Sequence, residues 1–174
     1  MIAIFGSIFL STLTRRRRFK ICPMAIPSMP TTHYHRLILP ADTNHKNTLY
    51  AGSLLRLALE AGYATAWRHV GSHANLVLRR VLNLECLRPV PVGTVIEIEG
   101  MVLHRRQAYL VTGLIGTPLA TGQRPWLEAL LGFAQVDEKG QAAALPTGAG
   151  EGKVPDSKEW RRLGQRLQKL LRVR

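Results

Sequence analysis

Cysteines and long apolar runs are scarce in this sequence, and each scarcity excludes a class of protein. Two cysteines, Cys22 and Cys86, stand in 174 residues, which excludes a disulfide framework and favours a reducing cytoplasm. No apolar run approaches the roughly 20 residues that a membrane-spanning helix needs. The sequence also lacks a dinucleotide fingerprint, a glycine-rich phosphate loop and a serine elbow, and its histidines do not have metal-ligand spacing. We therefore predict no metal and no cofactor.

Acidic residues are few, with 11 against 24 basic ones, but the excess positive charge lies at the two ends of the chain. Residues 1–20 carry +5, residues 151–174 carry eight bases and three acids, and residues 21–150 are left with +3. The middle is therefore only mildly basic, and its charge predicts no nucleic-acid partner. Contact of the basic ends with an anionic membrane stays open.

The first 30 residues are predicted to lie outside the folded domain. Met1–Thr14 is apolar and four arginines follow it, whereas a secretory signal has its basic residues first. We interpret residues 1–30 as a disordered basic extension or a misassigned translation start, with Met24 or Met29 as the true beginning. A short membrane anchor with a basic flank is the rival interpretation.

The next part of the chain predicts one strand, one long helix and then four strands. The run YHRLIL at 34–39 is strand-like, and Pro40 ends it. Ala51–Val70 is apolar on most faces, which is typical of a buried helix. The later strands are predicted at 75–87, 95–104, 108–115 and 127–136. Short connections favour antiparallel pairing, so we predict an α+β fold, with a generic α+β sandwich as the alternative to a sheet wrapped around the helix.

Two further segments follow the last predicted strand. Gln141–Pro155 is rich in small residues and glycine and ends in proline, which is typical of a linker. Beyond it, Trp160 and leucines recur at intervals of three and four with basic residues between them, which predicts an amphipathic helix over 156–174. We therefore divide the chain into the extension, a folded domain at 31–146, and a linker with a basic amphipathic helix at 147–174.

The most specific motif lies between Pro40 and His69. The segment PADTNHKNTLYAGSLLRLALEAGYATAWRH resembles the loop-plus-helix signature of acyl-CoA hydrolases in the hot-dog superfamily. ECLRPVPVGTVIEIEG resembles the second and third strands of that family, and LLGFAQVDEKG its last strand and turn, so the resemblance spans residues 36–138. It implies a hot-dog fold, in which a curved antiparallel sheet wraps one long central helix, and the activity of an acyl-CoA thioesterase.

Thioester hydrolysis needs an aimed water, a group that takes its proton, and donors for the oxyanion that forms on the carbonyl. Unpaired backbone N–H groups near Gly52 and Ser53, at the start of the helix, can supply such donors, and glycine allows a carbonyl oxygen to approach closely. The resemblance implies that Asn44 contributes to the site. Asp42 matches the family's loop aspartate, although it can equally be a turn-forming side chain.

The carboxylate of the site is ambiguous. In many hot-dog thioesterases it lies seven residues after the second glycine of a paired-glycine motif, and that position here is Leu59. Glu60 is adjacent, but one helical step rotates a side chain by about 100°. Glu60 is either the base or nucleophile, or a structural partner of Arg56 four residues earlier. In the second case catalysis depends on Asn44 and the oxyanion donors alone.

Further residues are candidates for substrate contact. His45 lies in the motif loop. The cations available for the phosphates of coenzyme A are Arg79, Arg80, Arg88 and Arg124, with solvated strand faces as their alternative explanation. The resemblance implies at least a homodimer with its site at the subunit junction. The leading function is hydrolysis of an acyl-CoA or acyl-carrier thioester to a carboxylate and a free thiol. The alternatives are a non-catalytic acyl-thioester-binding protein and a basic-tailed protein that engages nucleic acid or membrane.

Overall fold

The helices and strands follow the predicted order. A computed structural model describes residues 31–71, 74–120, 122, 124–146 and 155–172. The extension predicted over residues 1–30 lies outside the described residues, as does most of the predicted linker. The elements are β1 (Thr32–Leu37), a 3₁₀ turn (Pro40–Asp42), α1 (Ala51–Val70), β2 (Leu76–Cys86), β3 (Val95–Arg106), β4 (Tyr109–Pro118), β5 (Leu127–Gln135) and α2 (Lys158–Arg172).

The predicted bounds of the long helix are confirmed, and each predicted strand is present with small shifts at its ends. The first strand ends at Leu37 instead of residue 39, because Pro40 already begins the 3₁₀ turn. β4 continues to Pro118 instead of residue 115, because its pairing with β3 extends to the Ile96–Pro118 pair. Gly71 ends α1 with a φ of 98°, a conformation that favours glycine.

The five strands form one antiparallel sheet in the order β1-β3-β4-β5-β2, so β1 and β2 are its edges. Irregular register between Leu78 and Arg80 in β2, and between Val102 and His104 in β3, marks bulges that bend these strands. A bent sheet can close around a helix, which a flat sheet cannot.

One face of the sheet packs against α1. Leu57 and Ala61 of the helix share a buried core with Ile98 and Leu131 of the sheet. The helix comes close to β3 at Gly100, where an added Cβ would lie 2.2 Å from the Thr65 hydroxyl oxygen. The predicted arrangement of an antiparallel sheet around one long helix is confirmed.

The opposite face of the sheet packs against α2. Trp160, Leu163 and Leu167 are buried there with residues that include Val111 and Leu130. Coverage of both faces explains why β5 is buried at every position and why β4 is almost continuously apolar.

Ion pairs fasten α2 to the sheet. The carboxylate of Glu128 on β5 is fully buried and forms an ion pair with Arg162. Arg166, one turn further along the helix, lies 2.7 Å from a carboxylate oxygen of Glu85 on β2. Part of the charged side of α2 therefore forms ion pairs with the sheet, while its apolar side packs against the same sheet.

Candidate active site

The loop between the 3₁₀ turn and α1 is held together by Asn44. Its side-chain oxygen accepts hydrogen bonds from the backbone N–H groups of Lys46 (2.9 Å) and Thr48 (3.3 Å). Its amide nitrogen donates to the Thr48 hydroxyl at 3.1 Å. The side chain that the resemblance assigns to the site therefore shapes the loop, and no hydrogen bond joins it to α1 among the described residues.

The same loop is fixed against the connection between β2 and β3. The backbone N–H of Leu49 donates to Val90 O (2.8 Å), and that of Val92 donates to Asn47 O (3.0 Å). A third backbone bond, from Tyr50 N to Asp42 O (2.9 Å), sets the entry into the helix. The start of α1 is therefore clamped from two sides.

Asp42 is a buried carboxylate at the centre of an ion-pair cluster. It accepts hydrogen bonds from Arg36 of β1 (3.1 and 3.2 Å), from Arg56 of α1 (3.2 Å) and from the backbone N–H of Leu39 (3.2 Å). Burial alone raises the pKa of Asp42, but the Leu39 N–H and the Arg36 guanidinium outweigh it, so the pKa lies below its ordinary value. An ionised Asp42 thus joins the first strand, the turn and the helix.

The first turn of α1 offers free backbone donors. The residue before the helix, Tyr50, makes no side-chain capping bond, and the first helical backbone bond is donated by Leu54. The N–H groups of Ala51, Gly52 and Ser53 have no hydrogen-bond acceptor among the described residues. Ala51 and Gly52 are exposed and Ser53 is half-buried, so these amides can meet a ligand from solution.

The two positions considered for the catalytic carboxylate, Leu59 and Glu60, lie in different environments. Leu59, at the position where the family has its carboxylate, is half-buried and packs against the core. Glu60 is exposed, and its carboxylate lies 3.7 Å from the Arg56 guanidinium. The predicted Arg56–Glu60 pair is therefore present, and as an exposed pair it contributes only about 0.3–0.5 kcal/mol.

Comparison with known proteins matches this architecture. A family model described as the thioesterase superfamily matches residues 46–115. An acyl-CoA hydrolase from Staphylococcus aureus, solved with butyryl coenzyme A and coenzyme A, is 19% identical, with a TM-score of 0.69 over 84% of this chain and 86% of that one. An apo hexameric acyl-CoA thioesterase is 26% identical, with a TM-score of 0.64 over 82% of this chain and 92% of that one. The protein has the hot-dog fold.

A further hot-dog structure extends the comparison. A hexameric thioesterase from Yersinia pestis is 23% identical, with a TM-score of 0.60 over 66% of this chain and 93% of that one. A search among curated proteins gives no match. The predicted family resemblance and the predicted hot-dog fold are both confirmed.

The predicted substrate contacts of this hot-dog domain lie in different places. His45 is exposed at the tip of the loop that precedes α1. Arg88 lies on the β2–β3 connection and lines a groove of about 870 Å³ that also contacts Val90 and Pro91. Arg79 lies in the bulged part of β2 and lines neither this groove nor the cavity beside it. The structure therefore brings Arg88, but not Arg79, near the loop that enters the helix.

Sequence reasoning missed one groove residue, Trp126, whereas Arg124 was among the predicted phosphate-binding cations. Trp126 is 1% exposed and lines the groove just before β5, with Arg124 in the same wall. The pair Pro125-Trp126 marks the end of a loop in the sequence, but no local pattern places it beside the β2–β3 connection, almost 40 residues earlier.

No group of three or more His, Cys, Asp or Glu residues in the described part of the hot-dog domain is arranged to hold a metal ion. None of the described helices has the length and apolarity that crossing a bilayer requires.

Proposed function

We propose that this protein is an acyl-CoA thioesterase, which hydrolyses a thioester to a carboxylate and free coenzyme A. The observation that carries the proposal is the start of α1, where three backbone N–H groups without acceptors open beside Gly52, inside a segment that matches the thioesterase superfamily. Such amides stabilise the negative charge that develops on a thioester carbonyl oxygen during attack by water. The acyl-CoA complex of the Staphylococcus aureus hydrolase supports coenzyme A as the carrier.

In the proposed reaction, water attacks the carbonyl carbon while the first-turn amides of α1 hold the oxyanion. Glu60 takes the proton of the attacking water. The tetrahedral intermediate then breaks its C–S bond, and the proton passes to the departing thiolate. The products are a carboxylic acid, ionised at neutral pH, and the free thiol of coenzyme A.

One copy of the chain does not place Glu60 beside its own oxyanion donors. Eight residues separate Gly52 from Glu60, which corresponds to about 12 Å along a helix axis. A catalytic base must lie within hydrogen-bond reach of the water that it activates. We therefore propose that the first turn of α1 in one copy meets Glu60 of a second copy.

The surface of the chain supports self-association. Leu55, Tyr63 and Trp67 are more than 40% exposed along the side of α1 that the sheet leaves open. The edge strand β2 also exposes Val77 and Val81. Exposed apolar surface beside an unpaired strand edge favours a further protein contact. We propose a homodimer as the minimum assembly, and the hexamers among the similar structures support higher states.

The roles of the other site residues complete the proposal. Asn44 and Asp42 fix the loop and the helix start on which the oxyanion donors lie, and Ser53 adds a donor of the same turn. His45 is proposed to contact substrate from the loop tip, while Arg79 is exposed on β2 and stays a weaker candidate. A reducing cytoplasm remains the proposed location, in keeping with the free, exposed thiol of Cys86.

A thiol-release assay over short, long and aromatic acyl-CoAs tests the activity directly. We expect release of one equivalent of coenzyme A per carboxylate formed, with one acyl class clearly preferred. Binding of acyl-CoA without release of thiol over the whole series would instead support the non-catalytic alternative, which the leucine at position 59 favours.

A further inference from the structure

A groove and a smaller cavity meet at two arginines beside the β2–β3 connection. The groove, of about 870 Å³, is lined mainly by apolar residues that include Val95, Leu119 and Trp126. The cavity, of about 510 Å³, lies between that connection and the first turn of α2. Arg88 and Arg124 line both, so the two spaces adjoin at these side chains.

The smaller cavity carries an excess of positive charge. Besides Arg88 and Arg124, Lys158 and Arg162 of α2 line it, and Glu159 is its one acidic residue. Arg162 already forms an ion pair with the buried Glu128. The other three cations have no carboxylate within 4.0 Å among the described residues. Cations gathered in this way repel one another unless an anion joins them.

The apolar groove contains an unpaired polar atom. The indole N–H of Trp126 is buried and has no hydrogen-bond partner in the part of the chain that the structure describes. Leaving a buried donor unpaired costs free energy, and a carbonyl oxygen of a bound ligand can pair with it. Trp126 belongs to the wall of the groove, as do the two arginines.

The wall of the groove is joined by hydrogen bonds to the loop before α1. Val90 and Pro91 form part of its wall, and the same connection is hydrogen-bonded to the loop before α1 through Leu49 and Asn47. The groove wall therefore adjoins the loop that leads into α1, and it combines apolar side chains, a buried N–H donor and cations.

We propose that the groove binds the pantetheine arm of coenzyme A and that Arg88, Arg124 and Lys158 bind its phosphates. The arm is largely neutral, contains amide carbonyls and ends in a diphosphate, and the walls of the two spaces offer apolar surface, a buried N–H donor and cations to match. Arginine binds phosphate by paired, charge-assisted hydrogen bonds, and lysine binds it as a point charge. The inference rests on the proposed function, and it makes α2 part of the substrate site although α2 lies outside the segment that matches the thioesterase superfamily.

Binding of coenzyme A to the whole chain, measured by isothermal titration calorimetry, tests the phosphate site. We expect Arg124→Gln to weaken the Kd about tenfold and Lys158→Gln about threefold, since each removes one charge-assisted contact. Lys169→Gln is the matched control, because it removes the same charge from an exposed position of α2 away from the cavity. Equal weakening by the control would overturn the site in favour of general charge attraction, and so would unchanged binding in all variants.

Kinetics separate phosphate binding from damage to the fold. The S-acyl-N-acetylcysteamine thioester of the same acyl group has the end of the pantetheine arm but no phosphate. For Arg124→Gln we expect the ratio of kcat/KM on acyl-CoA to kcat/KM on this thioester to fall about tenfold. An unchanged ratio would overturn the phosphate site even if hydrolysis is established. Conversely, binding that depends on Arg124 without any thiol release would support the site and reject the proposed hydrolysis.

Discussion

The Arg56 guanidinium lies 3.2 Å from a carboxylate oxygen of Asp42, and this contact joins the second turn of α1 to the turn that precedes the helix. Arg36 of β1 binds the same carboxylate at 3.1 Å. Two elements and the turn between them therefore converge on one buried negative charge. Because the backbone N–H of Tyr50, directly before α1, also donates to the carbonyl oxygen of Asp42, this residue helps to fix the position of the proposed oxyanion donors.

Replacing Asp42 by asparagine tests this structural role. The substitution keeps the size of the side chain but removes the buried charge that pairs with Arg36 and Arg56, and only Arg56 keeps a second carboxylate, Glu60, within 4.0 Å. We expect the free energy of unfolding to fall by about 1–3 kcal/mol, the usual cost of leaving buried polar groups poorly paired. Chemical denaturation measures it, with Asp156→Asn as the control because Asp156 is 90% exposed. Equal effects of the two variants would contradict the role.

The lowered pKa of Asp42 predicts a pH dependence with a definite sign. A carboxyl whose pKa is lower in the folded state than in the unfolded state stabilises the fold only while it is ionised. Its contribution is therefore complete above the unfolded value, near 3.9, and is lost as the pH falls through the lower folded value.

Denaturation at a series of pH values measures this contribution. We expect the loss of stability on acidification below about pH 4 to be smaller in Asp42→Asn than in the native chain, because the variant has no carboxyl to protonate. Parallel curves for the two proteins over that range would contradict the lowered pKa.

The order of elements could be predicted because each boundary has a local cause. Pro40 ends the first strand, and Gly71 ends α1 with its positive φ. Glycines with positive φ also occupy the turns at Gly93 and Gly140. These signals act within a few residues, so a single sequence contains them.

Contacts between elements that are far apart in the sequence were not predicted, because no local sequence pattern signals them. The pair of Asp42 with Arg56 spans 14 residues and two elements, whereas the Arg56–Glu60 pair, four residues apart on one helix, was predicted. The packing of α2 against the sheet was likewise not predicted. Its periodicity indicates an apolar face, but not that this face packs on the sheet around Val111 and Leu130.

Substitution of Glu60 tests whether its carboxylate is the catalytic base. Glu60→Gln removes a proton acceptor and leaves an exposed position nearly isosteric, so the fold is expected to be unaffected. If Glu60 takes the proton of water, kcat should fall about 100-fold or more. Glu138→Gln, which changes an exposed carboxylate in the loop after β5, is the control. Unchanged rates would remove Glu60 from the mechanism.

Mixing two inactive variants tests whether the site is shared between copies. The proposed site combines Glu60 of one copy with the start of α1 of another. We therefore expect Glu60→Gln and a second variant, Gly52→Val, to regain activity when they are refolded together, because some mixed assemblies contain one intact site. Valine at position 52 obstructs the carbonyl approach, and a Cβ there already lies 2.5 Å from the Tyr50 ring. A mixture no more active than its parts would place the whole site in one copy.

Whether α2 is part of the folded domain distinguishes two hypotheses: a thioesterase domain that includes α2, and a protein whose basic tail acts independently. Leu163 is fully buried between the helix and the sheet, so Leu163→Ala should lower the free energy of unfolding by about 2–5 kcal/mol. Leu39→Ala, at a position 47% exposed, is the control and should change it by less than about 0.5 kcal/mol. If Leu163→Ala is neutral, α2 is not part of the cooperative fold. Its apolar face would then be free to bind an anionic membrane, which the native packing of Trp160 and Leu167 against the sheet prevents.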